Sequence, residues 1–365
     1  MWRRIWAMTQ KEFIELFRTP LLVPALVIGP VLELVLFAAA IHTDVNHIPT
    51  VVVDQSRSAA SRSYIDAFAA SGSFDVVAAG TSQADAIRAI DRGQAGLGIV
   101  IPPHFAAQAR RGAADALLLV DGSDAIVTQS AAGGAAAISG QYGAGARGGQ
   151  SSPITAHLQV LYNPDLHDLW FIVPGFGAFL LYGITLKLTA FAIVREREVG
   201  TIEALLVTPI RPIEMMLAKT IPNLGLGLLD AAAVLPVGIF LFGVPFRGSV
   251  LLFAGLAILF ATAGLGLGLA ISAISQTQLQ ANQVSSLLNI GAMFLSGFMF
   301  PAYSLPLFLK LIGYALPLTF FMPIIQGVFT KGVGLEALWL PVLALTGLTT
   351  AIFIIGARAF RQGLD

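Results

Sequence analysis

Charged side chains in the C-terminal half of this 365-residue sequence are concentrated in one short stretch, residues 195–219. Residues 169–365 contain 17 Asp, Glu, Lys and Arg residues, and eight of these lie within those 25 positions. The stretch connects two long apolar segments. A charged connection of this kind is suited to docking against a partner.

Within this stretch, Thr201 can cap a short helix, and Pro209 and Pro212 end it. The apolar positions of that helix lie on one face, with Glu203 off the face; they are Ile202, Leu205 and Leu206. Two interpretations stay open. The helix either docks on a partner protein or lies on the bilayer surface.

Two carboxylic acids and one amide lie inside apolar runs, at Glu33, Asp230 and Asn289. Ionisable groups within membrane spans are functional candidates, so Glu33 and Asp230 are predicted to line a translocation path, with Asn289 as a further candidate. The alternative is that they form hydrogen bonds between helices and fix their packing. Three glycines with alternate spacing, Gly264, Gly266 and Gly268, predict close helix contact, because small residues let backbones approach.

Several catalytic chemistries are absent from the sequence. There is no cysteine, which excludes disulfides and thiolate metal sites, and the five histidines lack zinc-ligand spacing, so no metal site is predicted. GxSxG is absent, and no lysine follows a glycine, so the GxxxxGK[ST] phosphate-binding loop is missing. We therefore predict no enzyme activity and no bound cofactor in this chain.

The composition indicates a membrane protein. Charged residues make up only 12% of the chain, against about 25% in soluble domains, and hydrophobic residues make up 56%. The net charge is zero, which gives no sign of nucleic-acid binding. Six apolar runs are long enough to cross a bilayer, which takes about 20 residues; they are 21–41, 169–194, 220–243, 250–274, 284–301 and 338–357.

The predicted fold is an α-helical polytopic membrane protein with six transmembrane helices and an inserted extracytoplasmic α/β domain. Residues 1–20 form a cytoplasmic amphipathic interface helix, 21–41 the first transmembrane helix, and 42–168 the extracytoplasmic domain. Residues 169–365 contain helices two to six, the cytoplasmic loop 195–219 and a proline-broken re-entrant segment, 302–326. Ten Lys and Arg residues flank one side of the spans and three the other, which predicts cytoplasmic termini.

Short β-like runs alternate with helical ones in the inserted domain. The predicted strands are Thr50–Val53, Phe74–Ala78, Gly96–Ile101, Ala116–Val120 and His157–Leu161. The predicted helices between them are Ser58–Ala70, Ser82–Arg92, Pro103–Arg111 and Ala125–Tyr142, and a flexible linker is predicted at 143–152.

The stretch REREVGTIEALLVTP at 195–209 resembles the motif of ABC-2 type transporter permeases, in the subgroup with a large extracytoplasmic domain between spans one and two. The LSGFMFP stretch at 295–301 is similar to a second motif of that family. The resemblance implies a coupling helix that docks on a separate ATPase subunit. ATP and Mg would bind to that subunit and not to this chain. The resemblance assigns that coupling to Glu196, Glu198, Gly200, Thr201, Glu203, Leu205, Leu206 and Pro209.

The resemblance also implies an ATP-driven exporter of a hydrophobic or amphipathic substrate, a drug or a lipid-like molecule. Its expected partners are ABC ATPase subunits, a second permease copy or a homologous permease, a periplasmic adaptor and the lipid bilayer. Its expected location is the bacterial inner membrane. The alternative functions are a membrane-anchored ligand sensor, with 42–168 as its head, and a secondary transporter.

Overall fold

A computed structural model describes residues 6, 7, 9–11, 14, 47–111, 113–123, 125–145, 154–200, 212–302 and 305–362. Most of the amphipathic start, the whole predicted span 21–41 with Glu33, and most of the 143–152 linker lie outside the described residues. So do Thr201, Glu203, Leu205, Leu206 and Pro209.

Strands and helices alternate through the first described part of the chain. The strands are β1 Ile48–Asp54, β2 Phe74–Ala79, β3 Leu97–Ile101, β4 Asp115–Asp121 and β5 Thr155–Leu161. The helices are α1 Ala59–Ala70, α2 Gln83–Asp91, α3 Phe105–Arg111 and α4 Ala125–Gly145. All five predicted strands are confirmed, and α4 continues three residues into the predicted linker.

The five strands form one sheet in the order β2-β1-β3-β4-β5, parallel except for the β3–β4 pair. Side chains alternate across β1: Ile48 and Val52 pack with α1, α3 and α4, whereas Val51 and Val53 pack with α2. Because β4 is antiparallel to β3, the amino ends of β1 and β3 share one edge of the sheet with the carboxyl ends of β4 and β5. We call this the proximal edge, since the chain leaves it for the long apolar helices.

Long helices make up the rest of the described chain. They are α5 Leu169–Glu198, α6 Pro212–Phe242, α7 Val250–Ile274, α8 Gln278–Leu295, α9 Leu307–Gly313, α10 Pro317–Gln326, a π-helix Gly327–Lys331, and α11 Leu335–Gln362. Among the described residues, four helices are long and apolar enough to cross a membrane, namely α5, α6, α7 and α11. The pair α9 and Pro317–Lys331, bent by 82°, would make a fifth if counted as one span.

The predicted count of six spans is therefore met only in part by the described residues. The predicted boundaries 284–301 are wrong, because α8 begins and ends six residues earlier. Thr277 caps α8 by accepting a hydrogen bond from the Gln280 N–H, and Gly297 follows the helix with φ of +90°. Several of its 18 residues are polar, so α8 is not apolar enough to be counted among the candidate membrane spans.

Helix α5 is the centre of the helical part. In the most apolar window of each helix, 78% of the residues of α5 are buried, against 17% for α11. Helices α6, α7, α8 and α10 all contact α5. The glycines of α7 alternate between two neighbours: Gly264 and Gly268 lie against α5, and Gly266 lies against Gly356 of α11. The prediction that these glycines serve packing is confirmed.

Candidate functional site

The end of α5 far from the α/β domain, which we call the distal end, carries the first residues of the predicted coupling stretch. The N–H of Val199 donates to the Arg195 carbonyl at 3.0 Å, and the N–H of Gly200 donates to the Arg197 carbonyl at 3.2 Å. Gly200 has φ of +75°, in the left-handed region that glycine adopts without a side-chain clash. Helix α5 therefore ends at this glycine, and the predicted docking segment follows it.

Glu196 forms an ion pair with a residue of the next helix. Lys219 Nζ on α6 lies 3.0 Å from Glu196 Oε1, and the side chains are 2% and 17% exposed. Burial of two opposite charges at this distance requires that both stay in place, since removal of one leaves an uncompensated ion. The pair thus fixes α5 against α6.

The two residues after Glu196 contact two further helices. Arg197 Nη1 donates to the carbonyls of Ser272 at 3.1 Å and Ser275 at 2.9 Å, at the C-terminal end of α7. Glu198 accepts from the backbone N–H of Gln278 at 2.9 Å and from its side-chain amide at 2.6 Å, at the start of α8. A cation at a helix C-terminus and an anion at an N-terminus both complement the helix dipole.

Successive residues of an α-helix point about 100° apart, since a turn takes about 3.6 residues. Glu196, Arg197 and Glu198 therefore project in three directions and bind α6, α7 and α8 respectively. We call these three residues the distal triad. Of the predicted coupling residues, the structure places Glu196 and Glu198 against helices of this chain, and Gly200 at the end of α5.

The two described path candidates both face α5. Asp230 of α6 is 1% exposed, and Gly227 and Val234, on the same face of α6, contact α5. Asn289 of α8 lies against Gly183 of α5, where an added Cβ would come within 2.8 Å of the Asn289 amide nitrogen. The structure therefore places Asp230 and Asn289 on different helices around α5.

A second polar cluster joins the proximal edge of the α/β domain to the helical part. Lys331, at the end of the π-helix, donates to the Ile90 carbonyl and to Asp121. Its ammonium also lies 5.6 Å from the centre of the Tyr162 ring, within cation–π range. Arg247, between α6 and α7, donates to the carbonyls of Tyr162 and Thr330, both at 2.9 Å.

Tyr162 is the residue these contacts share. It has φ of +68°, unusual for a large side chain, and its hydroxyl donates to Asp91. Burial, followed by the Asp91 and Asp121 carboxylates, raises the pKa of Tyr162 above its usual range, so its hydroxyl remains a donor.

Sequence reasoning missed the partners of both clusters. No feature of the sequence paired Lys219, Ser272 and Ser275 with the distal triad, and only folding brings them together. The sequence did contain a signal for the proximal cluster. Only three Lys and Arg residues lie in the short loops on the predicted outer side of the membrane, and Arg247 and Lys331 are two of them.

The comparisons with known proteins match nearly the whole chain. The family model described as ABC-2 family transporter protein matches residues 19–358. The chain belongs to the ABC-2 transporter family. This membership confirms the resemblance that the 195–209 and 295–301 motifs indicated.

Named relatives extend over most of the ABC-2 chain. The probable multidrug ABC transporter permease YbhR of Escherichia coli (strain K12) is 28% identical over 355 residues, covering 96% of each chain. The permease YbhS, named in the same way, is 32% identical over 340 residues, covering 91% of this chain and 89% of YbhS. ABC transporter G family member 20 of Dictyostelium discoideum is 27% identical over 205 residues, 56% of this chain and 28% of that protein.

Family membership and the apolar helices together identify a multi-pass membrane protein, the membrane subunit of an ABC transporter. The E. coli relatives are named as permeases, the membrane components of such transporters.

Proposed function

We propose that this chain is the permease of an ATP-driven exporter and that residues 201–208, in the loop 195–219, couple it to separate ATPase subunits. Two copies, or this chain with a homologous permease, would form the translocation path. The sequence has no phosphate-binding loop, so the ATP and Mg would be bound by the partner. The relatives named as multidrug permeases support this assignment.

The observation that carries the proposal is the distal triad. The predicted docking segment begins directly after Gly200, and the three residues before Val199 contact α6, α7 and α8. A displacement of that segment by a partner would therefore act on α5 and on three neighbouring helices together. A passive surface loop would require no such set of buried and charge-assisted contacts.

The substrate we propose is hydrophobic or amphipathic, a drug or a lipid-like molecule. The helical part has few charged residues, and the described path candidates, Asp230 and Asn289, are one acid and one amide around α5. We place the protein in a bacterial inner membrane, with cytoplasmic termini and the α/β domain outside, available to a periplasmic adaptor. The charge asymmetry and the E. coli relatives support this arrangement.

The test is the double substitution Leu205→Asp and Leu206→Asp, which puts charge on the face expected to be buried by the ATPase. An unpaired ion in an interface costs several kcal/mol, so the ATPase should no longer co-purify with the tagged chain. Abundance in the membrane should stay unchanged, because the substitutions lie outside the spans. ATP hydrolysis in the sample purified through the tag should therefore fall to the background level.

Leu279→Asp is the matched control. Leu279 is 67% exposed and lies in the first turn of α8, which also begins at the distal end. It should leave ATPase co-purification and hydrolysis as in the wild type. Wild-type hydrolysis in the 205/206 variant, or its loss only in Leu279→Asp, would reject residues 201–208 as the coupling element.

A further inference from the structure

A cavity of about 150 Å³ lies between the proximal edge of the α/β domain and the helical part. The domain contributes Asp91, Arg92 and Asp121 to its wall. The helical part contributes Gln326 and Lys331, together with the apolar side chains Pro323, Leu338 and Pro341. The cavity therefore has a charged side and an apolar side.

The cavity lies beside the start of a helix that could cross a membrane. Leu338 and Pro341 belong to the first turns of α11, a helix long and apolar enough to cross a membrane. Trp339, between them, is 57% exposed, and exposed tryptophan at the end of a span is typical of the membrane–water interface. The apolar wall of the cavity thus begins where the hydrocarbon region would begin.

The charged wall offers one cation and one anion for a ligand. Lys331 and Asp121 bind each other, and the second Asp121 oxygen accepts from the Ser123 N–H at 3.0 Å. Arg92 is exposed, and its guanidinium has no hydrogen-bond partner among the described residues. Asp91 accepts the Tyr162 hydroxyl on Oδ1, and within the described ranges its Oδ2 has no partner.

We propose that this cavity binds the phosphoethanolamine headgroup of a phospholipid in the leaflet beside the α/β domain. The phosphate would lie at the Arg92 guanidinium, and the ammonium would lie at Asp91 Oδ2. These neighbouring residues carry charges opposite to those of the two headgroup ends, so both contacts would be charge-assisted hydrogen bonds. The volume supports a headgroup, because pockets for drug-sized molecules occupy about 300–1,000 Å³. The acyl chains of the lipid would extend out of the cavity along its apolar wall. This site is separate from the proposed coupling to an ATPase.

Native mass spectrometry of the full-length chain in detergent tests the site, with phosphatidylethanolamine and phosphatidylglycerol added separately. We expect phosphatidylethanolamine to bind at least about tenfold more tightly, because phosphatidylglycerol has no ammonium for Asp91. Arg92→Gln should weaken phosphatidylethanolamine binding by about tenfold, and Asp91→Asn should reduce the preference between the two lipids. Arg92 is exposed, so its substitution should leave the melting temperature unchanged.

Arg111→Gln is the matched control, an exposed arginine of α3 that is not part of the cavity wall. It should bind both lipids as the wild type does. Equal binding of the two lipids by the wild type, or wild-type binding by Arg92→Gln, would overturn the proposal. Tighter binding of O-phosphoethanolamine than of phosphatidylethanolamine would assign the site to a soluble ligand and would also overturn the proposal. Because no assay here uses ATP, failure of this site leaves the coupling proposal untouched.

Discussion

Lys331 Nζ lies 2.7 Å from Asp121 Oδ2, although the two residues are 210 positions apart in the sequence. The side chains are 5% and 12% exposed. This buried ion pair connects the last residue of the π-helix with the last residue of β4, and thereby the helical part with the α/β domain.

Lys331→Ala should destabilise the protein by about 3–5 kcal/mol, because it leaves the Asp121 carboxylate buried without its cation. The melting temperature of the detergent-purified chain should fall accordingly. The double variant Lys331→Met with Asp121→Leu should recover most of the loss, since two apolar side chains leave no charge unpaired. A melting temperature of Lys331→Ala equal to that of the wild type would contradict this role for the pair.

Gly268→Ala should destabilise the helical part by about 1–3 kcal/mol, the usual cost of overpacking. Its added Cβ would lie 2.6 Å from the Leu186 carbonyl oxygen of α5, a backbone atom that cannot rotate away. Gly255→Ala on the same helix is the control, because no atom lies within 4 Å of its Cβ position. Thermal unfolding of the two variants side by side should show a lower melting temperature only for Gly268→Ala.

Asp230→Asn tests whether the buried acid of α6 handles substrate or only packs against α5. The amide keeps the shape and most hydrogen bonds but removes the charge, so a packing role should survive it. We expect transport by the reconstituted complex to fall at least about tenfold, a change of about 1.4 kcal/mol, while the melting temperature stays the same. Unchanged transport would leave Asp230 with a packing role alone.

The stability of the α/β domain should depend on pH at low pH, because the Asp85 carboxylate caps the start of α2. Its carboxylate accepts from the N–H and hydroxyl of Thr81, and then from Ser82, and these hydrogen bonds hold the pKa of Asp85 well below its usual range. Its stabilisation is therefore complete above the unfolded pKa of about 3.9 and is lost as pH falls toward the folded pKa.

Asp85→Asn should thus melt below the wild type at pH 7, and the gap between them should shrink as the pH is lowered from about 4 to about 2. Melting curves of the full chain across this range measure the gap. A gap that stays constant with pH would show that the charge of Asp85 does not contribute.

The orientation can be tested by reporter fusions at two glycines. A reporter after Gly145, at the end of α4, should be exposed outside the cytoplasm, and one after Gly200 should be inside, as the charge asymmetry predicts. Alkaline phosphatase activity, which requires export, distinguishes the two locations. Activity from the Gly200 fusion and none from the Gly145 fusion would reverse the orientation.

The strands of the α/β domain were predictable because each is a short apolar run between helical segments, and Ser58 and Ser82 marked the helix starts. Helix α8 was predicted to begin six residues too late, because its first turns are polar and a search for apolar runs does not include them. The cap at Thr277 was the signal that could have corrected it. Helical spans with continuous apolar character, such as α7, were located at once.

The contacts that the predicted site residues make with other helices could not be predicted from the sequence. The Glu196–Lys219 pair and the Arg197 contacts depend on how α5 packs against α6 and α7, and packing angles are not readable from hydropathy. The resemblance to the ABC-2 family indicated that Glu196 and Glu198 matter, but the residues they bind on their own chain came only from the structure.

The distal triad has a consequence for how the protein changes state. Its three side chains occupy less than one turn of α5, so a rotation of that helix about its axis displaces all of them at once. Partial rotation would break the ion pair to α6 and the polar contacts to α7 and α8 without forming replacements. Helix α5 should therefore switch between discrete orientations, all-or-none, with no stable intermediate.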